Sequence, residues 1–321
     1  MSSSEHPFAQ YIRILGKGQK GSRELTRQEA YDAMGMLLDG KIEDVQLGAF
    51  MMLLRYKEET AEELAGFAQA VQERVQAPPI RVDLDWPTYA GKRRQLPWYL
   101  LAVKTLAQSG VRILLHGGGQ HTSGRLYTED LLTSLQIPRC DNWTQVAAAL
   151  DQHHLAYIGL GQWMPRLQRC IDLRDTMGLR SPVHSLARLL NPLKAQCVLQ
   201  SIFHPGYQPI HQQANVLLGQ HALIIKGDGG EIEVRPDTDG TLLGASHGLP
   251  WDELWPATIG RQVKAQTLDA GRLLRLWQGE ETDLYGEQAI IGTVALGLRG
   301  LGRSHKEAMQ QAAALWQGRH Q

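Results

Sequence analysis

The sequence predicts an α/β protein in which a small α-helical domain precedes a larger α/β domain with a central, mostly parallel sheet. Three observations support this fold class. Helix-start signals recur within residues 1–75, a proline pair follows at residues 78 and 79, and short apolar runs then alternate with helical segments. With 321 residues and 43% hydrophobic content, the chain has room for one large or two modest domains.

The helical domain is predicted over residues 1–77. Thr26 with Glu29 and Thr60 with Glu63 match the capping box, in which hydroxyl and carboxylate satisfy backbone N–H groups at a helix start. These pairs predict helices near 26–39 and 60–76. The intervening helix, 44–55, is apolar on most of its surface, which favours burial against a partner through residues such as Val45 and Phe50.

The α/β domain is predicted over residues 78–321. Buried parallel strands are predicted at 111–115, 155–160, 197–203 and 221–226, because these runs are short and continuously apolar. Helices are predicted near 97–109, 128–136, 143–152, 207–219, 282–299 and 304–318. Ligands of such sheets bind at the carboxyl ends of the strands, so the loops there are the candidate sites.

Two such loops have unusual compositions. Residues 88–95 read T-Y-A-G-K-R-R-Q, and residues 116–124 read H-G-G-G-Q-H-T-S-G. A glycine-rich turn before a helix can hold a phosphate with backbone N–H groups. A plain tight turn, without a ligand, explains the glycines of the second loop equally well.

Charge is unevenly distributed although the chain has 33 basic and 33 acidic residues. Residues 86–128 and 176–227 contain no Asp or Glu but retain basic residues. Burial in core strands accounts for part of this deficit of acids. The retained basic residues favour a surface that holds a polyanion.

The basic loop supplies the first candidate contacts, Lys92, Arg93 and Arg94. No acidic residue lies nearby in the sequence, so we expect these side chains to face solvent. The alternative is that they pair with carboxylates distant in the sequence. Trp86 and Trp98 flank the loop and either stack on bases or lie buried beside prolines.

Several other classes of site are disfavoured. The three cysteines form no C-x-x-C pair, and the histidines at 153, 154, 204, 211 and 221 show no metal-ligand spacing with carboxylates. No G-x-S-x-G motif or Cys-His pair indicates a nucleophile. Neither a signal peptide nor a membrane-spanning segment is expected, and the expected location is the cytoplasm.

A series of motifs resembles the anthranilate phosphoribosyltransferase family over nearly the whole chain. After the helical unit come the L-H-G-G-G loop at 115–119, G-L-R-S at 178–181, L-L-N-P-L at 189–193, F-H-P at 203–205 and K-G-D-G-G at 226–230. They correspond to the family's K-H-G-N-R, G-I-R-T…G-P-L-x-N-P, Y-H-P and H-G-x-D-G-L-D-E segments. The basic loop and the H-G-G-G loop look most like the YbiB branch, whose members are reported to bind nucleic acid.

The resemblance implies a phosphoribosyltransferase-like fold of the nucleoside phosphorylase type. Helices from about 163–190 would then pack on the helical domain. Family members form head-to-head homodimers through that domain, which would account for the apolar helix at 44–55. The basic helix that borders the cleft adds four candidate nucleic-acid contacts: Arg166, Arg169, Arg174 and Arg180.

The chain departs from the family where phosphoribosyl pyrophosphate and magnesium bind. The family's G-T-G-G-D loop corresponds to P-T-Y-A-G at 87–91, its conserved lysine to Leu115, and its adjacent metal carboxylates to Ile232 and Glu233. The vestigial phosphate loop comprises Gly91, His116, Gly117, Gly118 and Gly119, and the vestigial metal residues are Asp228 and Glu233. Loss of both features would remove the positioning and charge neutralisation that the transfer requires.

The sequence therefore predicts a non-catalytic homodimer that binds DNA or RNA through backbone phosphates, with little sequence specificity. No catalytic residue, cofactor or membrane contact is expected. The rival hypothesis is an active phosphoribosyl or glycosyl transferase with magnesium and another substrate.

Overall fold

The computed structural model describes residues 5–18, 20–263 and 268–320. Its α-helices are α1 (Ala9–Gly16), α2 (Arg27–Leu38), α3 (Asp44–Lys57), α4 (Ala61–Gln72), α5 (Tyr99–Gln108), α6 (Trp143–His153), α7 (Leu160–Trp163), α8 (Pro165–Met177), α9 (Val183–Leu186), α10 (Tyr207–Leu218), α11 (Gly271–Gln278), α12 (Leu284–Gly300) and α13 (His305–Gln317). Short 3-10 helices lie at Thr128–Leu131 and Asp228–Gly230.

One sheet of eight strands forms the centre of the α/β domain. Its strands are β1 (Leu84–Thr88), β2 (Ile113–Gly117), β3 (Arg139–Cys140), β4 (Leu155–Gly159), β5 (Cys197–Ser201), β6 (Ala222–Ile225), β7 (Gly240–Ser246) and β8 (Leu249–Trp255). They lie in the order β3-β4-β2-β1-β5-β6-β7-β8. The first six strands are parallel, and β7 and β8 add an antiparallel hairpin at one edge.

The helical domain has its own apolar core. Phe8, Phe50 and Phe67 pack edge to face, with ring centroids 5.1 Å apart for Phe8–Phe50 and 6.2 Å apart for Phe50–Phe67. Side chains of α8 and α9 and of the segment after them join the same cluster, including Leu167 and Leu190. The polypeptide thus returns to the helical domain after β4, which brings α8 close to the sheet loops.

The predicted fold class is confirmed. Both capping boxes are formed, at Thr26 with Glu29 and at Thr60 with Glu63, and each opens the helix that it predicts. The four predicted strands correspond to β2, β4, β5 and β6. The helix predicted at 128–136 is wrong, because only the 3-10 turn at Thr128–Leu131 forms there.

Strands β1, β3, β7 and β8 were not predicted. Strand β1 contains a proline and an aspartate, which hide its apolar character, although every one of its residues is buried. The hairpin of β7 and β8 turns at His247 and Gly248, both with positive φ, as a tight two-residue connection requires.

The apolar helix α3 has two different faces. Phe50 is fully buried inside its own domain, so the expectation that Phe50 lies in a contact between subunits is wrong. Val45, Met52 and Tyr56 are exposed, with Val45 at 78% and Tyr56 at 83%, and they recur at helical spacing. They leave an apolar stripe on the outside of the domain, called here the α3 stripe.

Cys140, Cys170 and Cys197 are buried thiols. None of the helices described is both long and apolar enough to cross a membrane.

Glu59, between α3 and α4, gives a test of the helical core. This residue is 2% exposed, and burial raises the pKa of its carboxyl from 4.5 to about 7. A carboxyl with a raised folded-state pKa costs no stability below about pH 4.5, destabilises the fold progressively as the pH rises from 4.5 to about 7, and keeps its full cost above that range. We expect Glu59→Gln to stabilise the protein by about 1–3 kcal/mol at pH 8 and to have little effect at pH 4.5.

Denaturant unfolding of wild type and Glu59→Gln at the two pH values is the measurement. Glu58→Gln, which changes an exposed neighbour, is the control. A stabilisation by Glu59→Gln that is the same at both pH values would contradict the buried-charge explanation.

Candidate functional site

The loops after β1, β2, β5 and β6 meet at one edge of the sheet. These four strands are parallel and adjacent or nearly adjacent, so their carboxyl ends lie on the same side. The loop after β1 is tied to the segment after β2 by two backbone hydrogen bonds of 2.8 Å between Lys92 and Leu126. Both unusual loops of the sequence therefore belong to one site.

Lys92 lies inside this site rather than on its surface. Its side chain is 0% exposed, and Nζ donates to the Asp228 carboxylate, to Glu233 Oε1 at 2.6 Å and to the Asp228 main-chain oxygen at 3.3 Å. Burial acts to lower the pKa of Lys92, but the two carboxylates outweigh it and raise that pKa above its ordinary value. The expectation that Lys92 faces solvent is wrong, and the alternative, pairing with distant acids, holds for this residue.

The backbone N–H groups of the first loop also have an internal partner. Glu231 Oε1 accepts hydrogen bonds from Ala90 N at 2.7 Å and Gly91 N at 2.6 Å. Glu231 is 1% exposed, and Gly91 has a φ of +65°, which directs the two N–H groups toward one acceptor. An anion position formed by backbone donors exists here, and the protein's own carboxylate holds it.

The residues present do not fit the magnesium ion that the resemblance implies. Asp228 and Glu233 converge, but the position between them is held by the Lys92 ammonium. Ile232, which replaces a family carboxylate, is fully buried among apolar side chains. No group of three or more potential ligands from His, Cys, Asp and Glu occurs among the described residues.

The second loop is held by a buried histidine. His116 is 0% exposed and bridges Asp85 Oδ2 and Tyr89 Oη, each at 2.9 Å from a ring nitrogen. Gly117 approaches Thr88 so closely that a Cβ added to the glycine would lie 2.6 Å from the Thr88 carbonyl oxygen. Gly119 has free space where a Cβ would be, whereas a Cβ added at Gly118 would make tight contacts with Tyr89 at 3.3 Å and Gln168 at 3.4 Å. Packing therefore requires a glycine at position 117, whereas no neighbouring atom requires a glycine at position 119.

Four arginines surround these loops and define what we call the arginine cluster: Arg125, Arg174, Arg180 and Arg188. Arg125 Nη1 donates to the carbonyl oxygens of Ala90 and Gly91 at 2.9 and 3.0 Å, and Arg188 Nη1 donates to Ser201 and Gly230 at 2.7 and 2.8 Å. Arg174 donates to the His121 carbonyl and the Thr122 hydroxyl, and Arg180 Nη2 reaches the same hydroxyl at 3.2 Å.

The arginine cluster is only partly neutralised, because the Glu231 carboxylate acts electrostatically on Arg188 but not on Arg180. None of its members forms an ion pair with a carboxylate in the described part of the chain. Burial and then the charges of the other three arginines lower the pKa of Arg180. Burial, with the positive charges of Arg180 and Arg188 among the further causes, lowers the pKa of His184 to about 3. A positive potential is therefore concentrated at the mouth of the site.

The remaining predicted contacts divide into two groups. Arg93 and Arg94 are exposed and form no ion pair with any described residue, as expected. Arg169 instead pairs with Asp44 of α3 at 2.8 Å, and the Arg166 guanidinium lies against Gly40. The structure thus brings Arg174 and Arg180 to the loops but directs Arg166 and Arg169 toward the helical domain.

Sequence reasoning missed several residues of the site. Arg125 and Arg188 stand in the two acid-free tracts, so the same charge pattern could have identified them. Glu231 follows directly on the K-G-D-G-G motif, but nothing local indicates that its carboxylate turns back to the first loop. His121 and His184, whose rings pack at 4.8 Å, are separated by too many residues for spacing to reveal their contact.

Comparison with known proteins agrees with the fold. Residues 9–75 match the family model described as the glycosyl transferase family, helical bundle domain. The uncharacterized protein YbiB of Escherichia coli K12 is 29% identical over 237 residues, covering 71% of this chain and 73% of YbiB. Anthranilate phosphoribosyltransferase of Anaeromyxobacter sp. is 29% identical over 212 residues, covering 64% of this chain and 62% of that enzyme.

A solved structure shares the fold along the whole chain. Anthranilate phosphoribosyltransferase of Saccharomyces cerevisiae, in complex with PRPP and Mg, matches with a TM-score of 0.76 at 16% identity, covering 98% of this chain and 95% of the yeast chain. In sequence the chain is therefore similar to anthranilate phosphoribosyltransferases, it shares their fold, and its residues 9–75 match the helical bundle domain of the glycosyl transferase family.

Proposed function

We propose that this protein binds nucleic acid, DNA or RNA, through its phosphate backbone and does not transfer phosphoribosyl groups. The observation that carries the proposal is the arginine cluster, together with exposed Arg93 and Arg94 on the neighbouring loop. Six cationic side chains at one edge of the sheet form no ion pair with a described carboxylate, and of these Arg188 is acted on by the nearby Glu231 charge. A polyanion is the ligand class that such a surface attracts.

An unused hydroxyl near the arginine cluster supports an anionic ligand. Tyr127 is 2% exposed, and its hydroxyl, which can donate, has no hydrogen-bond partner among the described residues. Its ring packs on His121, with the ring centroids 5.4 Å apart. Buried polar atoms normally find partners, so this unpaired hydroxyl is consistent with a ligand at the mouth of the site.

Phosphate recognition accounts for low specificity. Arginines that contact phosphate oxygens position a nucleic-acid chain but do not distinguish its bases. Trp86 and Trp98, which flank the basic loop, are 0% and 2% exposed and cannot stack on bases. We therefore propose binding without base readout.

The absence of transfer is supported by the occupied loops. Glu231 accepts the two N–H groups of the first loop, and Lys92 holds the position between Asp228 and Glu233. A pyrophosphate and its metal would have to displace both. The transferase alternative rests on the family relatives named anthranilate phosphoribosyltransferase, and magnesium belongs to that alternative alone.

Arg93 and Arg94 provide the direct test of the nucleic-acid surface. We expect the double variant Arg93→Ala/Arg94→Ala to weaken binding of a mixed-sequence oligonucleotide and to reduce the slope of log affinity against log salt by about two units. Both residues are exposed and unpaired among the described residues, so stability should change by no more than about 0.5 kcal/mol. Lys92 is left intact because it is buried.

The matched control is Arg303→Ala/Lys306→Ala. It also removes two exposed cations, but from the turn after α12 and the first turn of α13, and the end of α12 lies near the amino end of β6. Fluorescence anisotropy over a range of salt concentrations measures both variants. Equal slopes for wild type and Arg93→Ala/Arg94→Ala would exclude this loop as the nucleic-acid contact.

We further propose that two copies of the chain pair through the α3 stripe. Val45, Met52 and Tyr56 expose apolar surface on one helix face, and the family resemblance implies pairing through this domain. A second copy would cover the stripe and leave the arginine cluster of each subunit free for its ligand.

For the dimer, we expect Val45→Glu/Tyr56→Glu to give folded monomers, since charges introduced at a paired apolar face must be desolvated. Multi-angle light scattering after gel filtration measures the mass. Leu249→Glu on β8, where Leu249 is 67% exposed, is the control and should keep the wild-type mass. A dimer of unchanged affinity in the α3 variant would place the contact elsewhere.

A further inference from the structure

We propose that the chain carries built-in substitutes for a divalent cation and for a phosphate oxygen. Lys92 Nζ acts as the cation between Asp228 and Glu233, and Glu231 Oε1 takes the place of a phosphate oxygen as the acceptor for the N–H groups of Ala90 and Gly91. Removal of the Lys92 ammonium then opens a metal site that the wild-type protein lacks. This inference goes beyond nucleic-acid binding and does not depend on it.

The ammonium is fully satisfied where it lies. A lysine has three N–H donors, and three oxygens surround Nζ: one carboxylate oxygen each from Asp228 and Glu233, and the Asp228 carbonyl. The second Glu233 oxygen accepts from Tyr99 N at 2.9 Å, at the start of α5. Both acidic side chains are thus fixed around a cation whose contacts are complete.

The side chain is also fixed at its base. Two backbone hydrogen bonds to Leu126 hold the Lys92 main chain, and Gly229 packs near the lysine stem. Lys92 cannot swing to solvent without breaking these contacts. A metal ion must therefore compete with a cation that is covalently attached to the protein. The lysine is always present at the site, whereas a metal ion has to be taken up from solution.

Charge explains why a metal ion would replace the lost lysine. Asp228 and Glu233 are 7% and 0% exposed, and without Lys92 they would leave two carboxylates facing each other in a desolvated space. Carboxylate and carbonyl oxygens are the ligands that Mg²⁺ and Mn²⁺ prefer. The same three oxygens that now surround Nζ would supply them.

The test uses Mn²⁺ and the full chain with Lys92→Ala. Isothermal titration should show one site in the variant, tighter than any binding to wild type by about tenfold or more. Lys92→Ala/Glu233→Gln keeps the cavity but removes a carboxylate and should lose the site. Lys104→Ala, which removes a half-buried lysine bonded only to the Leu135 carbonyl among the described residues, should bind no better than wild type.

Thermal unfolding tests the same Mn²⁺ binding if Lys92→Ala folds too poorly for titration. Mn²⁺ should then raise its Tm and leave the Tm of wild type unchanged, because only the variant has a vacant position. Tight Mn²⁺ binding by wild type that disappears in Glu233→Gln would overturn the proposal. So would the absence of any Mn²⁺ effect on a folded Lys92→Ala chain.

A measurement on wild type covers the remaining case, in which Lys92→Ala does not fold even with Mn²⁺. In a protein with ¹⁵N-labelled lysine, the buried Lys92 ammonium should give a slowly exchanging NMR signal that Lys92→Arg removes. Millimolar Mn²⁺ should not broaden it. Paramagnetic broadening of that signal would place the metal beside Lys92 and contradict the proposal that the Lys92 ammonium takes the place of the metal ion.

Discussion

The ion cluster of Lys92 with Asp228 and Glu233 is the contact on which the rest of the site depends. It joins the loop after β1 to the segment after β6, across the strand between them. A buried charge is tolerated only when it is paired and hydrogen-bonded, so these side chains constrain one another. The loop that remains exposed, with Arg93 and Arg94, is anchored by this buried neighbour.

Neighbouring cationic side chains in the loop after β1 therefore have opposite roles. Lys92 neutralises the protein's own carboxylates, whereas Arg93 and Arg94 are left to solvent. The arginine cluster adds charge that carbonyl oxygens orient but do not neutralise. A site of this kind attracts phosphates to its mouth, while its interior is already filled by Glu231 and Lys92.

The fold was largely predictable from the sequence, and the site was predictable only in part. Capping boxes at Thr26 and Thr60 and the continuous apolar strands are local signals, and they identified most elements correctly. The burial of Lys92 depends on carboxylates more than a hundred positions away, which no local pattern reveals. The same limit applies to Phe50, since helix periodicity cannot tell an intramolecular core from a subunit contact. The acid-free tracts, a non-local pattern, contain all of the cationic residues at the mouth of the site except Arg174.

The central claim is that the interior of the site is filled by the protein itself and that its cationic mouth takes nucleic acid. Thermal unfolding of the wild-type chain with each ligand class tests both halves in one experiment. A mixed-sequence oligonucleotide at low salt should raise the Tm, and phosphoribosyl pyrophosphate with magnesium should leave it unchanged. Stabilisation by phosphoribosyl pyrophosphate and magnesium, with none by the oligonucleotide, would contradict the account and favour an active transferase.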